Sequence, residues 1–209
     1  YRRGVMDYEA KEYTKAVDDY TKAIEAKPDY AYAFNDRASA KLELGKTDEA
    51  IDDYKKAIAT SPTMPFSHNN LGSAFRKAKN YTAAIETYTK AIELKKDYYI
   101  AYNNRGTAKL ENGDFKASIL DFTKAIEIKS DYTFAYNNRA SANYKNRDFK
   151  AAVNDCNKAI DLNANYGEAY LNRGIAKEML KDFKGACEDF KKANSLGIER
   201  AKQYFDVCE

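Results

Sequence analysis

The sequence predicts an all-α fold, a solenoid built from antiparallel helix pairs, and three observations carry that expectation. Short motifs return every 34 residues: Asn103-Asn104-Arg105, Asn137-Asn138-Arg139 and Leu171-Asn172-Arg173 form one series, and Lys-Ala-Ile at 22–24, 56–58, 90–92, 124–126 and 158–160 another. A fixed period of this length marks a stack of supersecondary units. Within each period, apolar and small residues recur at helical rather than alternating spacing, interrupted once by a polar or Gly-containing turn such as Asn112-Gly113-Asp114. Small residues also hold fixed places, Gly4, Ala38, Gly72, Gly106, Ala140 and Gly174 in one column and Ala16, Ala50, Ala84, Ser118, Ala152 and Ala186 in another. Small side chains let two helix axes approach closely.

Taken in order, the elements are a partial unit at 1–30, full units at 31–64, 65–98, 99–132, 133–166 and 167–200, and a tail at 201–209. Each unit reads as one helical hairpin. Large residues fill the spaces between hairpins, with Tyr20, Tyr54, Tyr88, Phe122 and Phe190 in one column and Tyr13, Tyr81, Phe115, Phe149 and Phe183 in a second. The tail from Glu199 reads as a helix that covers the exposed face of the last hairpin, as the end of a repeat array requires. The chain opens in mid-motif at Tyr1, so the first repeat is expected to continue into a preceding segment.

The order of aromatic, Gly or Ala, then Ala, aromatic, Ala and in places Pro (Pro28, Pro62) resembles the tetratricopeptide repeat over residues 1 to about 200. That resemblance implies a right-handed superhelical solenoid whose first helices line a concave surface. One departure stands out. Where the family places a Leu before the Gly, five of six repeats here carry Arg3, Arg37, Arg105, Arg139 and Arg173, and sixteen residues later stand Asp19, Asp53, Asp121, Asp155 and Asp189. The third repeat has Leu71 and Thr87 instead, so both partners vanish together. Arg and Asp are therefore expected to form a partly buried ion pair between the two helices, because losing one alone strands a charge.

The interaction face is sought on the first helices, at places 2, 5, 6 and 9 of each repeat counted from its first residue, which share one helical face. Down the full repeats these read Tyr32, Asn35, Asp36, Ser39; Phe66, Asn69, Asn70, Ser73; Ile100, Asn103, Asn104, Thr107; Phe134, Asn137, Asn138, Ser141; and Glu168, Leu171, Asn172, Ile175. Asn is a mediocre helix former because its side chain competes for backbone groups, so eight at two places call for a reason. One reading makes Asn70, Asn104, Asn138 and Asn172, flanked by Asn69, Asn103 and Asn137, an amide ladder. It would pair with the alternating donors and acceptors of an extended peptide, a use some peptide-binding members of the family make of asparagine. Phe66, Ile100 and Phe134, with Tyr32, would then supply apolar subsites. The other reading has the asparagines satisfy repeat-to-repeat contacts. Places 2, 5, 6 and 9 of repeats two to six carry no Lys or Arg, so a chain-end carboxylate clamp is not expected. Arg76, Lys77 and Lys145 stand at the rim.

Composition narrows the function class. Thirty-five Lys and Arg against 32 Asp and Glu leave a formal charge of +3, too balanced for a nucleic-acid reader. No apolar run reaches the length of a membrane span. The single histidine, His68, stands where other repeats have Phe34, Tyr102, Tyr136 and Tyr170, and reads as a packing substitution. Without a Gly-rich phosphate loop, a nucleophile elbow or clustered metal ligands, neither enzymatic activity nor a cofactor is expected. Cys156 replaces a core aromatic, while Cys187 and Cys208 are open to pairing or to existing as free thiols. The expected role is a scaffold that binds an extended peptide of a partner protein. The alternatives are self-assembly through the open first repeat, or service as the regulatory domain of a larger protein.

Overall fold

The computed structural model describes residues 1–208, and among them the secondary structure is twelve α-helices followed by one 3-10 segment. The α-helices are α1 (Arg2–Glu9), α2 (Tyr13–Ala26), α3 (Ala31–Glu43), α4 (Thr47–Thr60), α5 (Pro65–Lys77), α6 (Tyr81–Leu94), α7 (Tyr99–Glu111), α8 (Phe115–Ile128), α9 (Thr133–Lys145), α10 (Phe149–Leu162), α11 (Gly167–Met179) and α12 (Phe183–Ser195). Each repeat supplies one odd-numbered and one even-numbered helix, as its period demands.

The turn inside each hairpin is built alike. The middle of its three residues adopts the left-handed region: Lys11, Gly45, Lys79, Gly113, Arg147 and Lys181, with φ between 60° and 87°. The next amide reaches back five residues, from Lys46 to the Lys41 carbonyl at 2.9 Å and from Asp148 to the Asn143 carbonyl at 2.8 Å, which satisfies a carbonyl that the helix end would leave unpaired. Asn80, Asp148 and Asp182 then cap the following helix by accepting from the amides of Ala83, Ala151 and Gly185. Between hairpins the chain leaves the helix through an extended residue, Lys27, Lys95, Lys129 or Asn163.

The chain divides into two compact units, Tyr1–Ala108 and Lys109–Glu209. In the first, Ala38, Ala50, Tyr54, Leu71 and Ala74 form one core cluster, and Ala16, Tyr20 and Ala40 another. The small column is explained by its ring neighbours: a Cβ on Gly72 would stand 2.7 Å from the Tyr88 ring. In the second unit, Ala140, Ala152, Cys156 and Ala176 pack together, the thiol of Cys156 standing where the other repeats carry an aromatic ring.

The C-terminal cover is a helix of the tighter 3-10 type. Glu199–Cys208 is a 3-10 segment, and Glu209 lies outside the described residues. Gly197, at φ 88°, turns the chain so that Tyr204 stacks on Phe190 at 4.9 Å, with Ile198 and Phe205 over Leu171 and Ala193. Cys187 on α12 and Cys208 are joined as a disulfide, their Cα atoms 5.1 Å apart, which resolves their open status in favour of pairing.

Candidate functional site

The Arg column forms the frame on which the first-helix face is displayed. Arg37 donates through Nε and Nη2 to both carboxylate oxygens of Asp53, at 2.8 and 2.7 Å; Arg139 does the same to Asp155 at 2.9 and 2.6 Å, and Arg173 to Asp189 at 2.9 and 2.6 Å. Arg3 and Asp19 make the same bidentate contact. This two-pronged geometry fixes both position and plane of the guanidinium. The expected pairing of the two helices is thus present in these repeats.

The sequence reasoning missed two further arms. Nη1 of each arginine reaches the preceding hairpin, from Arg37 to Thr21 (3.1 Å), Arg105 to Thr89 (3.0 Å), Arg139 to Thr123 (3.0 Å) and Arg173 to Asn157 (2.7 Å). A second donor completes four of the carboxylates: Lys41 on Asp53, Lys109 on Asp121 and Lys177 on Asp189, all at 2.8 Å, and Asn143 on Asp155 at 3.0 Å. The guanidinium also lies over the ring three residues earlier, 5.5 Å for Arg37 on Phe34 and 5.3 Å for Arg173 on Tyr170. The third repeat replaces the whole set. Leu71, Phe75 and Thr87 stand for Arg, Lys and Asp, His68 for the ring, and Lys55 for the Thr of the preceding hairpin. Lys55 comes to lie 6.0 Å over the Phe75 ring, and His68 Nε2 sits 3.0 Å from the Pro62 carbonyl, which accounts for the one histidine as packing.

On the display face, adjacent asparagines play different parts. Those at place 5, Asn35, Asn69, Asn103 and Asn137, are buried, so a ligand lying on the face does not reach them directly. Three of them accept from the place-6 asparagine of the next repeat: Asn70 to Asn35 at 3.3 Å, Asn104 to Asn69 at 3.0 Å and Asn172 to Asn137 at 2.9 Å. The repeat-to-repeat role therefore exists, and it is shared: place 5 accepts and place 6 of the next repeat donates. Asn70, Asn104, Asn138 and Asn172 are half-buried. Asn70 spends one N–H on Asn35 and accepts from Asn69 at 3.4 Å, which leaves a second N–H and a lone pair. At the head of the column the partner chemistry inverts: Tyr1 occupies place 5 with a hydroxyl donor, and place 6 of the next repeat is Asp36, whose carboxylate accepts from the Tyr1 hydroxyl at 2.6 Å.

Among the aromatic subsites, Tyr32 and Phe134 are 51% and 55% exposed, large values for rings on a folded surface, whereas Phe66 and Ile100 are half-buried. Tyr32 and Phe66 stack with centroids 5.7 Å apart, and Phe134 packs edge-on to Tyr132 and Tyr166 at 5.8 and 5.6 Å. Two grooves open on this face. One of about 330 Å³ in the first unit includes Tyr8, Asp36 and Asn70, and one of about 290 Å³ in the second includes Tyr144, Lys145, Asn172 and Tyr204. At the rim Lys77 donates to the Leu42 carbonyl at 2.7 Å, which ties it to the scaffold. Among the described residues no helix is long and apolar enough to cross a membrane, and no group of three His, Cys, Asp or Glu side chains is gathered for a metal.

Comparison with known proteins agrees with this architecture. Family models described as "TPR repeat" match residues 38–79 and 72–113, and two described as "Tetratricopeptide repeat" match 19–52, 99–132 and 135–166. A search of curated proteins finds no match. Among solved structures, the chain is similar to one in the APC/C hetero-tetramer Cut9-Hcn1, with TM-score 0.84 and 17% identity over 99% of this chain and 42% of that one. It is similar to a tetratricopeptide repeat protein from Parabacteroides merdae, with TM-score 0.75 and 23% identity over 98% and 80%. It is also similar to YrrB, described as a TPR protein with an unusual peptide-binding site, with TM-score 0.66 and 18% identity over 85% and 91%. With the 34-residue hairpins, the small-residue columns and the family matches in agreement, this chain belongs to the tetratricopeptide repeat family.

Proposed function

We propose that the chain is a protein-interaction scaffold whose first-helix face binds an extended peptide segment of a partner protein, with Asn70, Asn104, Asn138 and Asn172 meeting its backbone. The observation that carries this reading is the division of labour between the paired asparagines. The buried partner at place 5 fixes the half-buried amide at place 6, so Asn70, Asn104 and Asn172 present held polar groups instead of mobile side chains that binding would have to order. Tyr32, Phe66, Ile100 and Phe134 lie on the same helices and offer apolar contacts beside the amides. YrrB, a protein of the same fold, is described as having a peptide-binding site, which makes a peptide ligand a natural one to test.

The test is a peptide-library screen against the wild-type chain and an Asn104→Ala, Asn138→Ala variant that retains the wild-type circular dichroism spectrum. Peptides that bind the wild type and lose at least ~10-fold in affinity on the variant support the reading. Equal binding to both moves the site off this face. A screen that yields no peptide while mass rises with protein concentration supports self-association instead.

A further inference from the structure

The groove of the first unit differs from the rest of the amide column in charge. Its lining includes Val5, Tyr8, Glu9, Tyr20, Asp36 and Asn70, and among the described residues that line it there are two carboxylates and no Lys, Arg or His. Asp36 is the only carboxylate at place 6 of the full repeats, where the four later ones have Asn. It is half-buried and held in position by the Tyr1 hydroxyl at 2.6 Å and the Asn35 amide at 3.0 Å, both neutral donors that leave its charge uncompensated. Glu9 stands exposed at the lip.

The surroundings reinforce this sign. Burial is the largest cause raising the phenol pKa values of Tyr8, Tyr20 and Tyr54, and carboxylates add to it: Glu43 and Asp36 at Tyr8, Asp36, Asp7 and Glu9 at Tyr20, and Asp36 and Glu43 at Tyr54. Two aromatic rings, Tyr8 and Tyr20, and two carboxylates, Glu9 and Asp36, thus line one cleft of about 330 Å³. Rings present a negative face to a cation, and a carboxylate behind them adds a charge-assisted hydrogen bond. The corresponding groove of the second unit, with Lys145 and no carboxylate in its lining, lacks this combination.

We infer that this groove is a specificity pocket for a basic side chain, Arg or Lys, carried by the extended peptide proposed above; the inference rests on that reading of the face. The peptide backbone would run along Asn70 and Asn104 while the cationic side chain enters between Tyr8 and Tyr20 toward Asp36, with Glu9 closing over it. An acidic or neutral segment would leave Asp36 desolvated without a counter-charge, so the pocket selects against it.

The experiment pans a library of twelve-residue random peptides on the full chain, then titrates a recovered peptide and its Arg→citrulline counterpart, which keeps shape and removes charge. Asp36→Asn is the informative variant, because Asn already occupies that place in four repeats and Tyr1 retains an acceptor; it is combined with Glu9→Gln. The expected result is enrichment of Arg and Lys, a loss of ~10-fold or more with citrulline, and a similar loss for the Arg peptide alone on the double variant. Citrulline-peptide binding should be unchanged by those two substitutions. If recovered peptides are indifferent to citrulline and to Asp36→Asn yet are lost on Asn70→Ser, the charge selectivity is wrong and the peptide face stands. If they are indifferent to Asn70→Ser as well, or if none is recovered, both readings fall.

Discussion

The ion-pair column makes a quantitative prediction at the fifth repeat. Asp155 is 6% exposed and receives three donors, Arg139 Nε at 2.9 Å, Arg139 Nη2 at 2.6 Å and Asn143 Nδ2 at 3.0 Å. Arg139→Leu removes both charged donors and leaves a buried carboxylate with one neutral partner, which should cost about 3–5 kcal/mol. Asp155→Thr strands a guanidinium whose side chain is 21% exposed and which still donates to Thr123, so the cost falls to about 2 kcal/mol. The double change reproduces the Leu71 and Thr87 of the third repeat and should cost about 1–2 kcal/mol, less than Arg139→Leu alone. The interaction energy is then about 3 kcal/mol or more. Urea unfolding of the four proteins by circular dichroism, with amide exchange to place the loss in α9 and α10, measures the cycle. Additive costs, or a double variant less stable than Arg139→Leu, would refute the coupling.

Other outcomes follow from neighbouring features. At Asp53, burial lifts the carboxyl pKa, but hydrogen bonds from Arg37 and Lys41 outweigh it and hold the group below its usual range. Its contribution to stability is therefore complete above the unfolded value near ~4 and is lost as pH falls through the lower folded value; urea midpoints between pH 6 and 2 should drop less steeply in Asp53→Asn. Burial raises the Cys156 thiol to about 12, and Cys187 and Cys208 are bonded. Iodoacetamide at pH 8 should accordingly add nothing to the native protein, and mass spectrometry should count three adducts after unfolding with reductant. Lys79 holds φ 60° without the freedom of glycine, so Lys79→Gly should raise stability by about 0.5–1 kcal/mol, whereas Gly45→Lys at the same place of the second repeat should lower it.

Much of this architecture was legible because repetition turns a weak pattern into a column. The helix pairs, the small-residue contacts and the Arg–Asp spacing each recur often enough for one exception, Leu71 with Thr87, to act as a control. The asparagines were harder to read. Places 5 and 6 are adjacent on the helix, and periodicity alone does not say which turns toward the neighbouring hairpin; the structure buries Asn69 and leaves Asn70 half-open. The reach of each arginine into the preceding hairpin was overlooked, although a signal existed: Lys55 breaks the run of Thr21, Thr89, Thr123 and Asn157 at the repeat before the missing Arg. Asp36, likewise, was a visible departure from Asn whose meaning required Tyr1 beside it. The C-terminal cover was legible from the need to close the last hairpin, whereas its 3-10 type had no signal in the residue pattern.

The arm that each arginine extends backward makes the order of the repeats something like a spelling rule. A hairpin bearing Arg meets a Thr or Asn on the second helix of its predecessor, and the hairpin bearing Leu71 and Phe75 follows one that carries Lys55 at that place. Excising residues 99–132 would join Thr89 to Arg139, a permitted sequence. Excising 65–98 would set Lys55 against Arg105, two cations where one hydroxyl belongs. Copies of this 34-residue module are therefore not interchangeable, and the array lengthens or shortens without stranding a guanidinium only where each Arg still meets a hydroxyl or amide acceptor on the hairpin before it.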